Sequence, residues 1–284
     1  MDAEQRPTTV AAALAQAAAR LQAEPAARLE AQLLLCHALS CTRSAVLARE
    51  HEALRPDQLA ALERAVARRA AGEPLAYITG RKEFWSLELQ VTPAVLVPRP
   101  ETELVVERCL ELLRSPSGAV ADLGTGSGAI ALALAHERPG WQVTATDRSE
   151  AALAVAVGNA GALGLANLRF LAGDWFEPLA DERFDLLASN PPYVGLGDRV
   201  LADPALRHEP LGALASGPTG LEALAALIAG APAHLHPEAW LVLEHGATQA
   251  RAVAELLVAQ GFRHVRCHAD LASLARVTEA QRPA

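Results

Sequence analysis

The sequence predicts an α/β protein: a mostly parallel sheet covered by helices on both faces, preceded by a small all-α bundle. Three observations carry that expectation. Residues 1 to about 80 show apolar positions three and four apart and read as helices only. Beyond Pro100, apolar runs of strand length alternate with helix-length segments. Between the two, around Phe84, the apolar period drops to two. The chain therefore divides into a helical domain over 1–80, a β-hairpin linker over 81–98 and a larger α/β domain over 99–284.

Helices are expected at "VAAALAQAAARL", "LEAQLLLCHAL" and "RPDQLAALERAVARRAAG". The last opens on Pro56 and Asp57, good first-turn residues, and closes at Gly72. Such short helices need one another, so a bundle is expected. In the linker, "EFWSLELQV" places Leu87, Leu89 and Val91 on one side, and "AVLVP" follows Thr92-Pro93, which suggests strand, turn, strand. Then "AVADL" leads to helix "GAIALALAHE", "QVTATD" to "SEAALAVAVGNAGALG", and "LRFLAGD" to "FDLLASN". After a loop-rich insertion come helix "GLEALAALIAGAPAHL", strand "AWLVLEHG", helix "TQARAVAELLVAQGF" and a closing pair, "HVRCHAD" and "ARVTEA". No helix separates that pair, so at least one of its strands should run antiparallel to the rest.

Composition narrows the function classes. The 284 residues are 51% hydrophobic, enough for one large domain or two ordinary ones. The longest apolar stretches fall well short of a membrane span, so no membrane association is expected. "MDAEQRPTTV" carries acids where an export signal would carry bases, and the four cysteines are scattered, so a cytoplasmic protein with reduced thiols is expected. The net charge of −8 speaks against a protein that mainly grips phosphate backbones. No P-loop, H-E-x-x-H or G-x-S-x-G appears, and no metal site is expected from the scattered histidines.

The first strand–helix junction of the larger domain reads "DLGTGSG", and Gly124, Thr125, Gly126, Ser127 and Gly128 are candidate ligand-binding residues. Glycines let the backbone turn sharply and approach a ligand, and the following helix offers free N–H groups. An ordinary glycine-rich turn is the plainer reading. The next strand ends in Asp147, at roughly the ~20-residue interval where an acid takes hydrogen bonds from ribose hydroxyls. Asp147 can instead cap the helix that begins near Ser149. Trp175, in "GDWF" after the third strand, can lie against a purine or serve the core. The glycine spacing is not that of the dinucleotide fingerprint, and a loop preceded by an acid, with a further acid and aromatic after the third strand (Asp174-Trp175-Phe176), suits a smaller ligand with an adenosine end and a zwitterionic tail.

"SNPPY" follows the fourth strand. A planar –NH2 group is a poor nucleophile because its nitrogen lone pair is delocalised. Asn190 and the Pro191 carbonyl can each accept one N–H, orient the group and stabilise charge growing on nitrogen. Pro191 and Pro192 stiffen the loop, and Tyr193 can pack on the flat group. A plain turn remains the alternative.

The glycine loop, acid and tryptophan resemble the pocket of class I methyltransferases that bind S-adenosylmethionine, and "NPPY" resembles the signature of those that methylate exocyclic or amide nitrogens. "AYITGRKEFWSLELQVTPAVLVPRPETELVV", with Pro98-Arg99-Pro100-Glu101-Thr102-Glu103 at its end, resembles the release-factor glutamine methyltransferases, the PrmC/HemK family. The likeness continues through "RHEPLGAL" and "DLASLARVT", with Ser273 where glycine is expected. It implies a Rossmann-like class I fold with a seven-stranded sheet. It also implies S-adenosylmethionine as methyl donor, S-adenosylhomocysteine as product, and as substrate the glutamine N5 of the Gly-Gly-Gln loop in bacterial peptide chain release factors. Carried over residue by residue, Gly124, Thr125, Gly126, Ser127 and Gly128 wrap the methionine end of the donor, Asp147 binds ribose, and Trp175 borders adenine. Asn190, Pro191, Pro192 and Tyr193 hold the substrate glutamine, with Asn190 also near the donor. The N-terminal helices become an outer clamp on the release factor, with no direct nucleic acid required and a monomer expected. An adenine or guanine N-methyltransferase acting on DNA or RNA is the alternative. Arg99, Glu101 and Glu103 receive no role.

Overall fold

Threonine hydroxyls start two of the N-terminal helices. In the computed structural model, which describes residues 8–24 and 26–284, α1 (Val10–Arg20) begins where Thr9 Oγ1 accepts the Ala12 N–H at 3.2 Å. The first seven residues, on which the export-signal reading rests, lie outside the described ones. After α2 (Ala27–Leu39), Thr42 caps α3 (Arg43–Ala48) through the Ala45 N–H in the same way. Pro56 occupies the first turn of α4 (Pro56–Ala70), where its missing N–H costs nothing, and α5 (Leu75–Thr79) stops at Gly80 in left-handed conformation. Ala17, Leu34, Leu35, Leu62 and Val66 form the core of this unit, which extends to Gly80. Helices α3 and α5 have 6 and 5 residues, too few to show a helical period in sequence.

The second unit runs from Arg81 to Ala284. It opens on an antiparallel hairpin, β1 (Arg81–Phe84) with β2 (Leu87–Gln90), that reverses at Trp85 and Ser86 with φ of 53° and 59°. The hairpin thus turns earlier than the sequence suggests, and "AVLVP" is not its second strand. Pro93 and Pro98 bracket that segment and deny it ladder donors. The Val97 N–H goes instead to the Glu209 carboxylate at 3.0 Å. A helix the sequence reading did not pick out, α6 (Glu103–Leu112), follows and buries Val105, Val106 and Cys109.

Seven strands form the main sheet: β3 (Gly118–Leu123), β4 (Trp141–Asp147), β5 (Leu168–Ala172), β6 (Phe184–Ser189), β7 (Leu235–Glu244), β8 (Arg263–Ala269) and β9 (Ala275–Gln281), in spatial order β5-β4-β3-β6-β7-β9-β8. The first five are parallel, and β9 runs antiparallel to both β7 and β8, as the missing connecting helix requires. Alternation along the strands fills two cores. Val120, Leu186, Ala188 and Val242 pack with α6 and α7 (Ala129–Glu137). Leu123, Leu187, Leu241 and Leu243 pack with α10 (Glu222–His234) and α11 (Ala250–Ala259). Helix α8 (Glu150–Leu163) connects β4 to β5, and the short α9 (Leu211–Leu214) lies in the insertion after β6. Because β3 has β4 on one side and β6 on the other, the chain reverses its direction of winding there, which opens a crevice at the carboxyl ends of the parallel strands.

Candidate functional site

That crevice holds a cavity of about 530 Å³, within the range of small-molecule sites. Gly124, Thr125, Gly126 and Ser127 line it, as do Asp147, Trp175, Asn190 and Pro192. Residues from the ends of β3, β4, β5 and β6 therefore meet in one place.

The loop after β3 is held by its neighbour strand. Gly124 and Thr125 N–H groups both donate to the Thr146 carbonyl, at 2.8 and 2.9 Å, and Gly126 N–H donates to Asp147 Oδ2 at 2.9 Å. Gly124 has φ of 75°, and a Cβ there would stand 2.9 Å from the Trp175 ring, so only glycine lets loop and indole come this close. Gly128 does not line the cavity. Its φ is 87° and a Cβ would meet Leu132 at 2.8 Å, so the packing at the start of α7 requires glycine there.

Asp147 contributes to the start of α8 without being its cap. Its Oδ1 accepts the Ser149 N–H at 2.9 Å, but the cap of α8 is the Ser149 hydroxyl, which takes the Ala152 N–H. Each carboxylate oxygen has accepted one backbone N–H and keeps lone-pair capacity toward the cavity. Below the loop, buried Asp122 accepts from the Thr125 hydroxyl at 2.6 Å and the Ala131 N–H at 3.2 Å. Burial pushes its carboxyl up to about 7, with those two donors pulling the other way.

Asn159, on α8, gives no sign of itself in sequence. Buried, it donates to the carbonyls of Ser127 and Gln90, at 2.9 and 3.0 Å, and accepts the Gln90 N–H at 2.7 Å, tying the glycine loop to the hairpin. Asn159→Ala removes three hydrogen bonds, one of them buried. It is expected to destabilise the unit by about 3 kcal/mol, at roughly 1 kcal/mol per lost bond. In calorimetry that is a melting temperature lower by about 6–12 °C; an unchanged value contradicts the bracing role.

The segment after β6 is fixed at both ends. Ser189 donates to the Leu123 carbonyl at 2.6 Å, binding β6 to β3, and the Gln249 amide donates to the Tyr193 carbonyl at 2.9 Å. Asn190 Nδ2 donates to Thr102 Oγ1 at 3.0 Å. Pro191 is buried between the lining residues Asn190 and Pro192. Tyr193, half-buried, follows the lining residue Pro192. Its phenol meets Glu244 Oε1 at 3.3 Å, and burial together with that carboxylate keeps the phenol protonated. Glu244 is itself buried, which pushes its carboxyl up to about 7 against the pull of the Thr102 and Tyr193 hydroxyls.

Of the residues left without a role, Arg99 lines the cavity and pairs with the buried carboxylate of Glu209, which also holds Val97. Glu103 accepts the Trp85 N–H at 2.8 Å and secures the hairpin turn. Ser273 has φ of 62°, a conformation glycine adopts without strain, in a turn closed by its N–H on the Asp270 carbonyl.

Comparison with known proteins agrees with this architecture. Residues 12–80 match the family model described as PrmC N-terminal domain, and residues 101–203 match that of the methyltransferase small domain. A Xylella fastidiosa protein named release factor glutamine methyltransferase is 49% identical over 257 residues, covering 90% of this chain and 94% of the relative. A Burkholderia pseudomallei protein of the same name is 47% identical over 276 residues, covering 95% and 97%. Among solved structures, the hMettl16 catalytic domain bound to a MAT2A 3'UTR hairpin superposes with a TM-score of 0.58 at 17% identity, covering 76% of this chain and 81% of that one. The Thermus thermophilus 16S rRNA N2 G1207 methyltransferase in complex with AdoMet and guanosine gives 0.52 at 23%, covering 71% and 49%. At those identities the likeness is one of fold. No helix among the described residues is long and apolar enough to cross a membrane.

Proposed function

The chain belongs to the release factor glutamine methyltransferase family, and from that premise we propose that it methylates the side-chain nitrogen of the Gly-Gly-Gln glutamine in bacterial peptide chain release factors, with S-adenosylmethionine as donor. The observation that carries the reading is the convergence of Asp147, Trp175 and Asn190 on one cavity beside a glycine loop. The alternative acceptors, adenine and guanine, are not favoured, since the relatives at nearly half identity carry the glutamine name and the RNA-modifying enzymes share the fold alone.

The residues present fit the donor. Asp147 keeps acceptor capacity for ribose hydroxyls, Trp175 offers a flat face for adenine, and Gly124, Thr125, Gly126 and Ser127 leave open backbone for the methionine end. When bound, S-adenosylmethionine supplies an electrophilic methyl carbon on a sulfonium. The chain's own task is placement. Asn190 Oδ1 accepts one N–H of the substrate carboxamide, and the Pro191 carbonyl, kept in position by two prolines, accepts the other. Both oxygens then stabilise the positive charge that grows on nitrogen. No strong base is required, because a positively charged amide gives up its surplus proton readily to water.

The N-terminal helical unit, matched by its own family model, is assigned to gripping the release factor. Release factors work on the ribosome, which places the reaction in the cytoplasm. One chain supplies every residue named here, so a monomer suffices.

Incubation with labelled S-adenosylmethionine and, separately, release factor, DNA and RNA tests the assignment. Mass spectrometry is expected to find the label on the release-factor glutamine. Label on nucleic acid alone overturns the reading.

A further inference from the structure

The closing stretch "DLASLARVT" has no task in the proposed reaction. It forms the turn between β8 and β9, and Asp270 builds that turn. Asp270 Oδ1 accepts the Ala272 and Leu274 N–H groups, both at 2.9 Å, and Oδ2 accepts the Arg276 Nε–H at 3.1 Å. Its own N–H donates to the Leu274 carbonyl at 2.8 Å, and its carbonyl accepts the Ser273 N–H at 2.9 Å. The turn is therefore held in one shape, yet what it shows to solvent is apolar. Leu271 is fully exposed and Leu274 is 46% exposed. Leucines in open water are kept where a function needs them.

Sheet register puts this turn on the same edge as the cavity. Strand β9 starts opposite the end of β7, with Val277 beside Glu244 and the His245 N–H on the Arg276 carbonyl at 2.9 Å. The residues before Ala275 thus lie beyond the carboxyl ends of the parallel strands. Two to three strands separate the turn from β6, roughly 10–15 Å at about 4.8 Å per strand. Among the described residues of the second unit seven large apolar side chains are exposed, and five of them are Leu271, Leu274 and, in the insertion after β6, Leu196, Val200 and Leu211. Leu211 stands between the lining residues Pro210 and Gly212, and the Leu196 N–H donates to the carbonyl of the lining residue Gly217 at 2.8 Å.

A glutamine side chain is short, so the protein that carries it has to bring its own surface to this edge. A stable contact covers about 800 Å² on each partner, a disc of roughly 16 Å radius, so a protein centred on Asn190 reaches the turn. On the glutamine-methyltransferase reading of the cavity, we propose that the β8–β9 turn is a docking point for the release factor. Leu271 and Leu274 pack on apolar side chains beside its Gly-Gly-Gln loop and, with Leu196, Val200 and Leu211, seat that face so that the glutamine enters the cavity. The occupant is a protein face rather than a nucleic acid, because leucines offer nothing to phosphate.

The test compares the full chain with the double variant Leu271→Ser/Leu274→Ser in steady-state methylation of intact release factor. Both side chains are already in water, so the variant should fold as the wild type does. Its KM for the release factor is expected to rise about tenfold or more, the consequence of removing two apolar side chains from a contact. Its kcat and its affinity for S-adenosylmethionine should stay within about twofold, because the turn is too far from Asn190 to couple to it. Leu271→Met/Leu274→Met keeps the apolar surface and should keep KM within about twofold. Val258→Ser, at the end of α11 that leads into β8 and so at the opposite edge of the sheet, should leave KM unchanged. A KM unmoved in the serine pair, or raised as far by the methionine pair or by Val258→Ser, overturns the proposal. So does a fall of kcat and donor affinity in the serine pair, which would make the turn a scaffold. A wild type that sediments as a dimer and a serine pair that sediments as a monomer would make a second copy the occupant, which also overturns it. Wild-type protein that binds the donor yet leaves the release factor unmethylated refutes the functional reading itself, a result distinct from an unmoved KM in an active enzyme.

Discussion

Asn190→Ala is expected to slow methyl transfer about 10²-fold or more, the usual loss when a preorganised charge-stabilising contact is removed. The substrate nitrogen needs its lone pair turned out of conjugation and aimed at the methyl carbon, and Asn190 supplies one of the two acceptors that hold it. Its backbone surroundings do not depend on the side chain, because Ser189 is anchored on Leu123 and the Tyr193 carbonyl on Gln249. The donor's affinity should therefore change only slightly. Single-turnover transfer with saturating release factor separates the two effects, and unchanged turnover refutes the role given to the side chain.

Asp147→Ala should have the largest effect on donor binding, raising its dissociation constant about 10²-fold or more. Hydrogen bonds to a charged group are worth roughly 1.5–3 kcal/mol each, and about 1.4 kcal/mol is tenfold in affinity. Alanine removes the acceptors for ribose and also frees the Gly126 and Ser149 N–H groups, so the glycine loop loses its tie to the end of β4. Asp147→Asn keeps one acceptor and should cost less, about tenfold, as a neutral partner replaces a charged one. Calorimetric titration of both variants checks the order; alanine indistinguishable from wild type contradicts it.

The parts of this molecule that depend on local pattern are legible in the sequence. Strand–helix alternation reports the sheet, and the absence of a helix between the last two strands reports the antiparallel pairing of β9. Short elements escape: α3, α5 and α6 sit in segments too brief, or too close to prolines, for a period to show. The cavity-lining residues stand out because glycines, a strand-ending acid and two prolines are each unusual for their position. Their supports do not. Asn159 is one polar residue among the alanines of α8, and nothing in the spacing of Thr102 and Asn190 connects them. Only the fold brings the two within 3.0 Å. Tyr193 illustrates the same limit from the other side, since sequence shows an aromatic beside the prolines but not that its phenol is taken by Glu244.

A crystal structure of the chain with S-adenosylhomocysteine and a peptide containing Gly-Gly-Gln should show the glutamine carboxamide in the cavity beside the donor's sulfur, its nitrogen within hydrogen-bond distance, about 3 Å, of Asn190 Oδ1. A carboxamide seated elsewhere, or an Asn190 that turns its NH2 toward it, rules out the role given to that side chain.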